Sequence, residues 1–151
     1  ILHDEISEGD MINLSAPVGG FSIENTERPQ LFIGSGVGMT PLVSMFKKAA
    51  SLNVPTQMIQ AVVTEDERPF AQKLDSITDN YEQAQLHLHV KDKEGYLEAK
   101  ELEQYLSEQP EIYICGGTKF LHSIINSLKE LNYDMNHVHF ETFIPRLSVQ
   151  V

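Results

Sequence analysis

Two features of this sequence predict an α/β protein with a doubly wound, five-stranded parallel sheet in the order 3-2-1-4-5 and helices on both faces. Short apolar runs alternate with stretches of helical period along residues 30–143. Two of the runs end in glycine clusters, Gly34-Ser35-Gly36-Val37-Gly38 and Cys115-Gly116-Gly117, where an ordinary turn would serve. Strands that alternate with helices form a parallel sheet covered on both sides. The order 3-2-1-4-5 would set the two glycine-ended strands side by side at the point where the strand order reverses, which is where such sheets bind ligands.

The elements follow in chain order. Residues 10–16 alternate Met11, Asn13 and Ser15 with Ile12, Leu14 and Ala16, and Pro17-Val18-Gly19-Gly20 then reads as a turn into Phe21-Ser22-Ile23. That is about two strands, too few for a sheet of their own. Past a polar linker at residues 24–29, residues 30–33 form the first strand of the main sheet. Leu42, Val43, Met45, Phe46, Ala49 and Ala50 recur at helical spacing after its glycine loop. Residues 56–63 predict the second strand and 69–77 a short helix with Phe70, Leu74 and Ile77 on one stripe. Residues 85–90 predict the third strand, and 98–107 a helix with Leu102, Tyr105 and Leu106 turned inward. The fourth strand is expected at 111–115, a long helix at 118–131 through Leu121, Ile124, Ile125, Leu128 and Leu131, and the fifth strand at 137–143.

Composition narrows the function classes. Of 151 residues, 41% are hydrophobic, enough for a real core. Eleven Lys and Arg stand against 22 Asp and Glu, for a formal net charge of −11, and no run of five basic residues occurs. Phosphate backbones need concentrated positive charge, so nucleic acid is not an expected partner. The apolar stretch at 31–46 is broken by Gly34, Gly36, Gly38 and Pro41, and no membrane partner is expected. Cys115 is the single cysteine, which excludes an internal disulfide framework and a Cys-rich metal site, and a reducing cytoplasm is the expected compartment. The chain opens on Ile1 with Asp4 and Glu5 close behind, where a signal peptide would need Lys or Arg and an apolar run. A position inside a longer parent chain is expected.

The first glycine loop has a chemical reason for its composition. Glycines let backbone amides approach a diphosphate, and the helix that follows offers free N–H groups and the positive end of its dipole. Thr40 is a candidate N-cap and Pro41 a suitable first helical residue. Gly36, Val37, Gly38, Met39, Thr40 and Pro41 are therefore the candidate phosphate cradle. No Gly-Lys-Ser/Thr follows, which excludes a Walker loop, and Gly-x-Gly-x-x-Gly is incomplete because no glycine stands at its sixth position. The acidic run Glu65-Asp66-Glu67 reads first as a solvated face, but Glu65, just after the second strand, has a second reading, as an acid that can accept from a ribose 2′-hydroxyl and repel a 2′-phosphate.

Cys115 at a strand end reads more readily as a small buried hydrophobe than as a nucleophile, since His122, the nearest histidine, lies a turn or more into the next helix. A third role is open to it, that of a compact polarisable side chain beside a flat ring. His87 with His89, and His137 with His139, have i, i+2 spacing that could chelate. No third cluster joins them, so half-exposed strand histidines are expected and no metal site.

Taken together, three segments are specific. Gln30-Leu31-Phe32-Ile33-Gly34-Ser35-Gly36-Val37-Gly38-Met39-Thr40-Pro41-Leu42, then Ile112-Tyr113-Ile114-Cys115-Gly116-Gly117-Thr118-Lys119-Phe120, then Val138-His139-Phe140-Glu141-Thr142-Phe143-Ile144-Pro145 resemble the pyridine-nucleotide domain of the ferredoxin–NADP reductase superfamily. Within it, the chain is most similar to the reductase half of bacterial flavohaemoglobins, the nitric oxide dioxygenases. Leu2-His3-Asp4, Glu8-Gly9-Asp10 and Ala16-Pro17-Val18-Gly19-Gly20-Phe21 resemble the last part of the flavin-binding β-barrel that precedes this domain, which implies a barrel remnant at 1–25 and an NAD(P)-binding domain at 26–151.

The resemblance implies roles position by position. Gly36 to Pro41 would hold the diphosphate of NAD(P)H, and Cys115, Gly116 and Gly117 would flank the nicotinamide. Glu141 would tune the flavin, and Thr142, Phe143, Ile144 and Pro145 would line its ring, so that Cys115 and Glu141 are the catalytic candidates. Hydride would pass from nicotinamide to FAD, and in a flavohaemoglobin electrons would continue to haem in a globin of the same parent chain. Neither the Arg-x-Tyr-Ser flavin motif of such barrels nor a globin occurs in these residues, so this chain is expected to bind flavin poorly and not to hold haem by a globin's proximal histidine. Gly117 replaces a proline common in the family, and Val62-Val63-Thr64-Glu65 stands where NADP-selective relatives place an arginine, which favours NADH. Another flavin-dependent electron-transfer reductase, or a nucleotide-binding module without turnover, are the alternatives.

Overall fold

The computed structural model describes residues 7–13, 16 and 19–142. Five strands form one parallel sheet in the order β3-β2-β1-β4-β5, as predicted. They are β1 (Gln30–Ser35), β2 (Thr56–Val62), β3 (Ala84–Val90), β4 (Glu111–Gly116) and β5 (Val138–Thr142). β1 is central, and its register sets Phe32 beside Met58 on one side and beside Tyr113 on the other. The near-continuous apolar runs of β1 and β4 match this placement, because strands buried on both faces have no polar side to show.

Alternate residues divide the core in two. Phe32, Met58, Tyr113 and Cys115 point to the face covered by α1 (Met39–Ser51) and α2 (Ala71–Asn80). Leu31, Ile33, Ile59, Ile112 and Ile114 point to the opposite face, covered by α4 (Ala99–Leu102) and α5 (Thr118–Glu130). The short α3 (Lys91–Glu94) leads from β3 into α4. Burying side chains such as Phe46, Leu42 or Ile124 contributes about 1.5–3 kcal/mol each, which is what holds these helices to the sheet.

Three elements differ from expectation. Residues 10–13 and 21–23 are not strands. Phe21 and Ile23 pack instead against the α1 face of the main core, which meets their apolar demand without a β-partner. The helix expected at 98–107 is only α4 followed by a 3-10 turn, Glu103–Tyr105. Glu98 and Glu101 form a capping box at its start, but Tyr105 and Leu106 remain only half-buried, so little packing rewards a longer helix. The third difference lies at the start of α1. Thr40 and Pro41 fall inside the first turn, after a 3-10 turn at Gly36–Gly38, and Thr40 makes no capping bond. Pro41 is tolerated there because its missing N–H belongs to the unpaired first turn in any case.

Candidate functional site

The two glycine clusters meet. Gly34 pairs with Cys115 across β1 and β4, so both strand tips open on the same edge of the sheet. Gly36 has φ +56°, a conformation that favours glycine, and a Cβ there would meet open space. Gly38 is the opposite case: a Cβ on it would run into the backbone of Cys115 and stand 2.6 Å from the amide nitrogen of Gly116. The first loop therefore lies directly on the second.

Each predicted residue can be placed on this frame. Val37 is 65% exposed at the tip of the loop, and Thr40 is exposed. Met39 is wholly buried under the loop, with its N–H donated to the carbonyl oxygens of Gly36 and Val37 in the 3-10 turn, and Pro41 has no N–H to offer. Gly116 is buried against Phe120, and Gly117 is open and caps α5. Cys115 is fully buried on the α1 face, and Glu141, its register partner on β5, is exposed. Burial, together with the Glu141 charge, pushes the Cys115 thiol up to about 11, so it is protonated at neutral pH and is not a nucleophile. The Thr142 hydroxyl lies 3.5 Å from that of Thr118 at the start of α5. Phe143, Ile144 and Pro145 lie outside the described residues.

A groove of about 620 Å³ runs from this edge across the tips of β1, β2 and β3, with Gly36, Glu67, Tyr96 and Lys119 among its walls. Glu65 is not part of that wall and binds Lys93 at 2.7 Å on the outer surface. Glu67, two residues on, faces the groove instead. Tyr96 is 67% exposed, with the Lys91 ammonium 4.6 Å from its ring centre. His89 fixes the segment that presents Tyr96, with Nε2 2.9 Å from the carbonyl oxygen of Gly95. An exposed aromatic beside Gly95 was the only signal the sequence carried for this wall.

His87, His89, His137 and His139 are structural. His89 is buried rather than half-exposed, and His87 is 2.9 Å from the Gln57 amide oxygen and packs on Tyr105. At the opposite end of the sheet, the buried Glu111 carboxylate is shared by His137 at 3.0 Å, His139 at 2.6 Å and Arg28 at 3.7 Å. Among the described residues, no group of three or more His, Cys, Asp or Glu is arranged to hold a metal ion. No described helix is long and apolar enough to cross a membrane.

The geometry is that of a dinucleotide site, and comparison with known proteins agrees with it. The family model for the oxidoreductase NAD-binding domain matches residues 32–125. This chain belongs to the oxidoreductase NAD-binding domain family. Among curated proteins, it is 30% identical over 165 residues to a flavohemoprotein of Bacillus cereus, covering 99% of this chain and 41% of that protein. Flavohemoprotein B of Dictyostelium discoideum is 28% identical over 97% of this chain and 38% of its own length. The chain thus spans about two fifths of these relatives. Among solved structures, the flavohem-like FAD/NAD-binding domain of nitric oxide dioxygenase from Vibrio cholerae superposes with a TM-score of 0.84 at 26% identity, over 95% of this chain and 63% of that one. The cytochrome P450 reductase GcoB of Amycolatopsis shares the fold, with a TM-score of 0.77 at 18% identity over 95% of this chain and 47% of that one.

Proposed function

We propose that this chain is the pyridine-nucleotide half of a flavohaemoprotein-type nitric oxide dioxygenase, binding NADH in preference to NADPH and delivering its hydride to FAD held by the parent chain. The observation that carries the reading is the contact of the Gly36–Gly38 loop with the Cys115-Gly116 tip, in a loop whose Gly36 also stands on the wall of the groove. Likeness to flavohemoproteins across nearly the whole chain supports it, as does the likeness to the Vibrio cholerae domain.

In this reading, the diphosphate lies over the Gly36–Gly38 turn, at the N-terminus of α1. The adenosine extends along the groove, its base against the exposed Tyr96 ring and its ribose toward Glu67, whose carboxylate accepts from a 2′-hydroxyl and repels a 2′-phosphate. The nicotinamide rests at the tips of β4 and β5. Cys115 and Gly116 form a floor with no polar competitor for the ring, since the thiol stays neutral. NADH loses two electrons and one proton together as hydride, and its ring becomes cationic. Glu141, exposed beside Cys115, places a negative charge near that developing charge. FAD in the parent would supply the hydride acceptor, and haem would supply the chemistry toward nitric oxide and dioxygen. The rest of the protein's work here is alignment.

The test uses the parent protein with flavin and haem bound. Anaerobic stopped-flow should show flavin reduction by NADH faster than by NADPH, and nitric oxide should be consumed aerobically at the expense of NADH. Cys115→Ala or Glu141→Ala should slow flavin reduction more than it weakens NADH binding. A parent whose flavin is reduced by neither nucleotide refutes the proposal, and one that reduces flavin without consuming nitric oxide is another electron-transfer reductase.

A further inference from the structure

We infer that Tyr113 is a positioning residue for hydride transfer, docking the segment before β1 beside the Cys115–Glu141 pair and so setting how the preceding part of the parent chain meets this site. The inference rests on the proposed function and gives a role to a residue that the resembling segment contains but to which the resemblance assigns none.

Tyr113 lies two residues before Cys115 in β4, on the same face of the sheet, and is wholly buried. Its ring is stacked between Phe32, at 5.2 Å, and His139, at 4.9 Å. Phe21 meets it edge-on at 6.2 Å. A buried phenol needs a hydrogen-bond partner, and here the partner comes from outside the sheet. The backbone N–H of Glu24 donates to the Tyr113 hydroxyl at 2.7 Å, across 89 residues of sequence.

Register turns this contact into a position. Tyr113 pairs with His139 and Cys115 with Glu141, so two cross-strand pairs follow each other along one face. The lower pair carries the segment at 21–24. The upper pair carries the proposed nicotinamide floor. A cleft of about 290 Å³ joins them, lined by Phe21, Ser22 and Glu24 on one side and His139 and Glu141 on the other. Phe21 and Ile23 add apolar contact with the core, so the segment is held at several points on the sheet face. The chain that leads to the rest of the parent is therefore fixed one residue pair away from the atoms whose alignment governs transfer. A misplacement of about 1 Å in such an alignment costs up to roughly a hundredfold in rate.

The test compares the full-length, flavin-loaded parent with its Tyr113→Phe and Phe21→Ala variants. Tyr113→Phe keeps the buried ring and removes only the acceptor for the Glu24 amide. Phe21→Ala loosens the same segment without altering the sheet. Anaerobic stopped-flow gives the limiting rate of flavin reduction, NADH titration gives Kd, and the long-wavelength charge-transfer absorbance reports how nicotinamide and flavin overlap. In both variants the limiting rate should fall roughly tenfold and the charge-transfer band should weaken, with Kd held within about twofold. Unchanged rate and band in both variants, or a rate lost only in proportion to binding, overturns the inference. So does a variant whose melting temperature falls while rate and band stay at wild-type values. Should Tyr113→Phe not fold, Phe21→Ala decides by the same criteria. Failure of the proposed function looks different, because the wild-type flavin would then not be reduced at all.

Discussion

Gly38 lies on Cys115, with no space between them for a Cβ. That contact brings a loop from the first strand against the tip of the fourth, and it makes the two glycine clusters a single surface. Gly117, one residue beyond the second cluster's buried glycine, has open space around it and an ordinary φ of −69°.

This difference between two glycines gives a direct expectation. Gly38→Ala should destabilise the fold by about 1–3 kcal/mol and weaken NADH binding at least tenfold, because the loop must lift off β4 to admit the methyl group. Gly117→Ala should cost no more than about 1 kcal/mol, the loss of a better N-cap residue with no steric clash. Urea unfolding and NADH titration measure both.

Cys115 should resist alkylation by iodoacetamide at pH 7–8 in the folded chain and react once the chain is unfolded. Burial raises its pKa from 9.0 to about 11, so the folded state holds the thiol proton more tightly than the unfolded one. The stability this provides is complete below pH 9 and disappears as pH rises from about 9 to 11. Burial also raises the hydroxyls of Tyr105, Tyr113 and Tyr133, so the thiol's share is read as the difference between wild type and Cys115→Ala across that window.

Glu67→Gln should narrow the preference for NADH over NADPH, whereas Glu65→Gln should leave it within about twofold, because Glu65 is tied to Lys93 away from the groove. Tyr96→Ala should weaken both nucleotides by roughly tenfold, the range of about 1–3 kcal/mol that stacking a base on an aromatic ring contributes. Isothermal titration of the wild type and these three variants with both nucleotides checks the set. Equal effects of the two glutamates would remove Glu67 from the site.

Glu111→Ala should cost about 2–4 kcal/mol, since the buried carboxylate is the shared partner of Arg28, His137 and His139 at the far end of the sheet. The loss should show in chemical unfolding. NADH affinity should change little, because the groove lies at the other end of the strands.

Much of this was legible along the chain. The glycine-ended strands, their adjacency and the buried neutral Cys115 follow from local composition together with the rule that ligands gather where strand order reverses. The third wall of the groove was not. Tyr96 sits in a stretch without periodicity, and its exposure beside Gly95 acquires meaning only when β3 is set next to β2. Glu65 was the natural acidic candidate by distance along the chain, but Lys93, 28 residues away, holds it outside and leaves Glu67 facing in. His89 carried the polar signature of a surface strand, yet its ring is buried against the backbone of Gly95.

The amino-acid order by itself determined the α/β class, the strand sequence and the two loops at the site, because hydrophobic period and glycine placement act over a few residues. Tertiary contact decided where α1 begins, how short the fourth helix is, and that residues 21–24 lie against Tyr113 and not in a strand. Those outcomes depend on partners tens of residues away, whose packing and hydrogen bonds outweigh the few tenths of a kcal/mol that local propensity contributes.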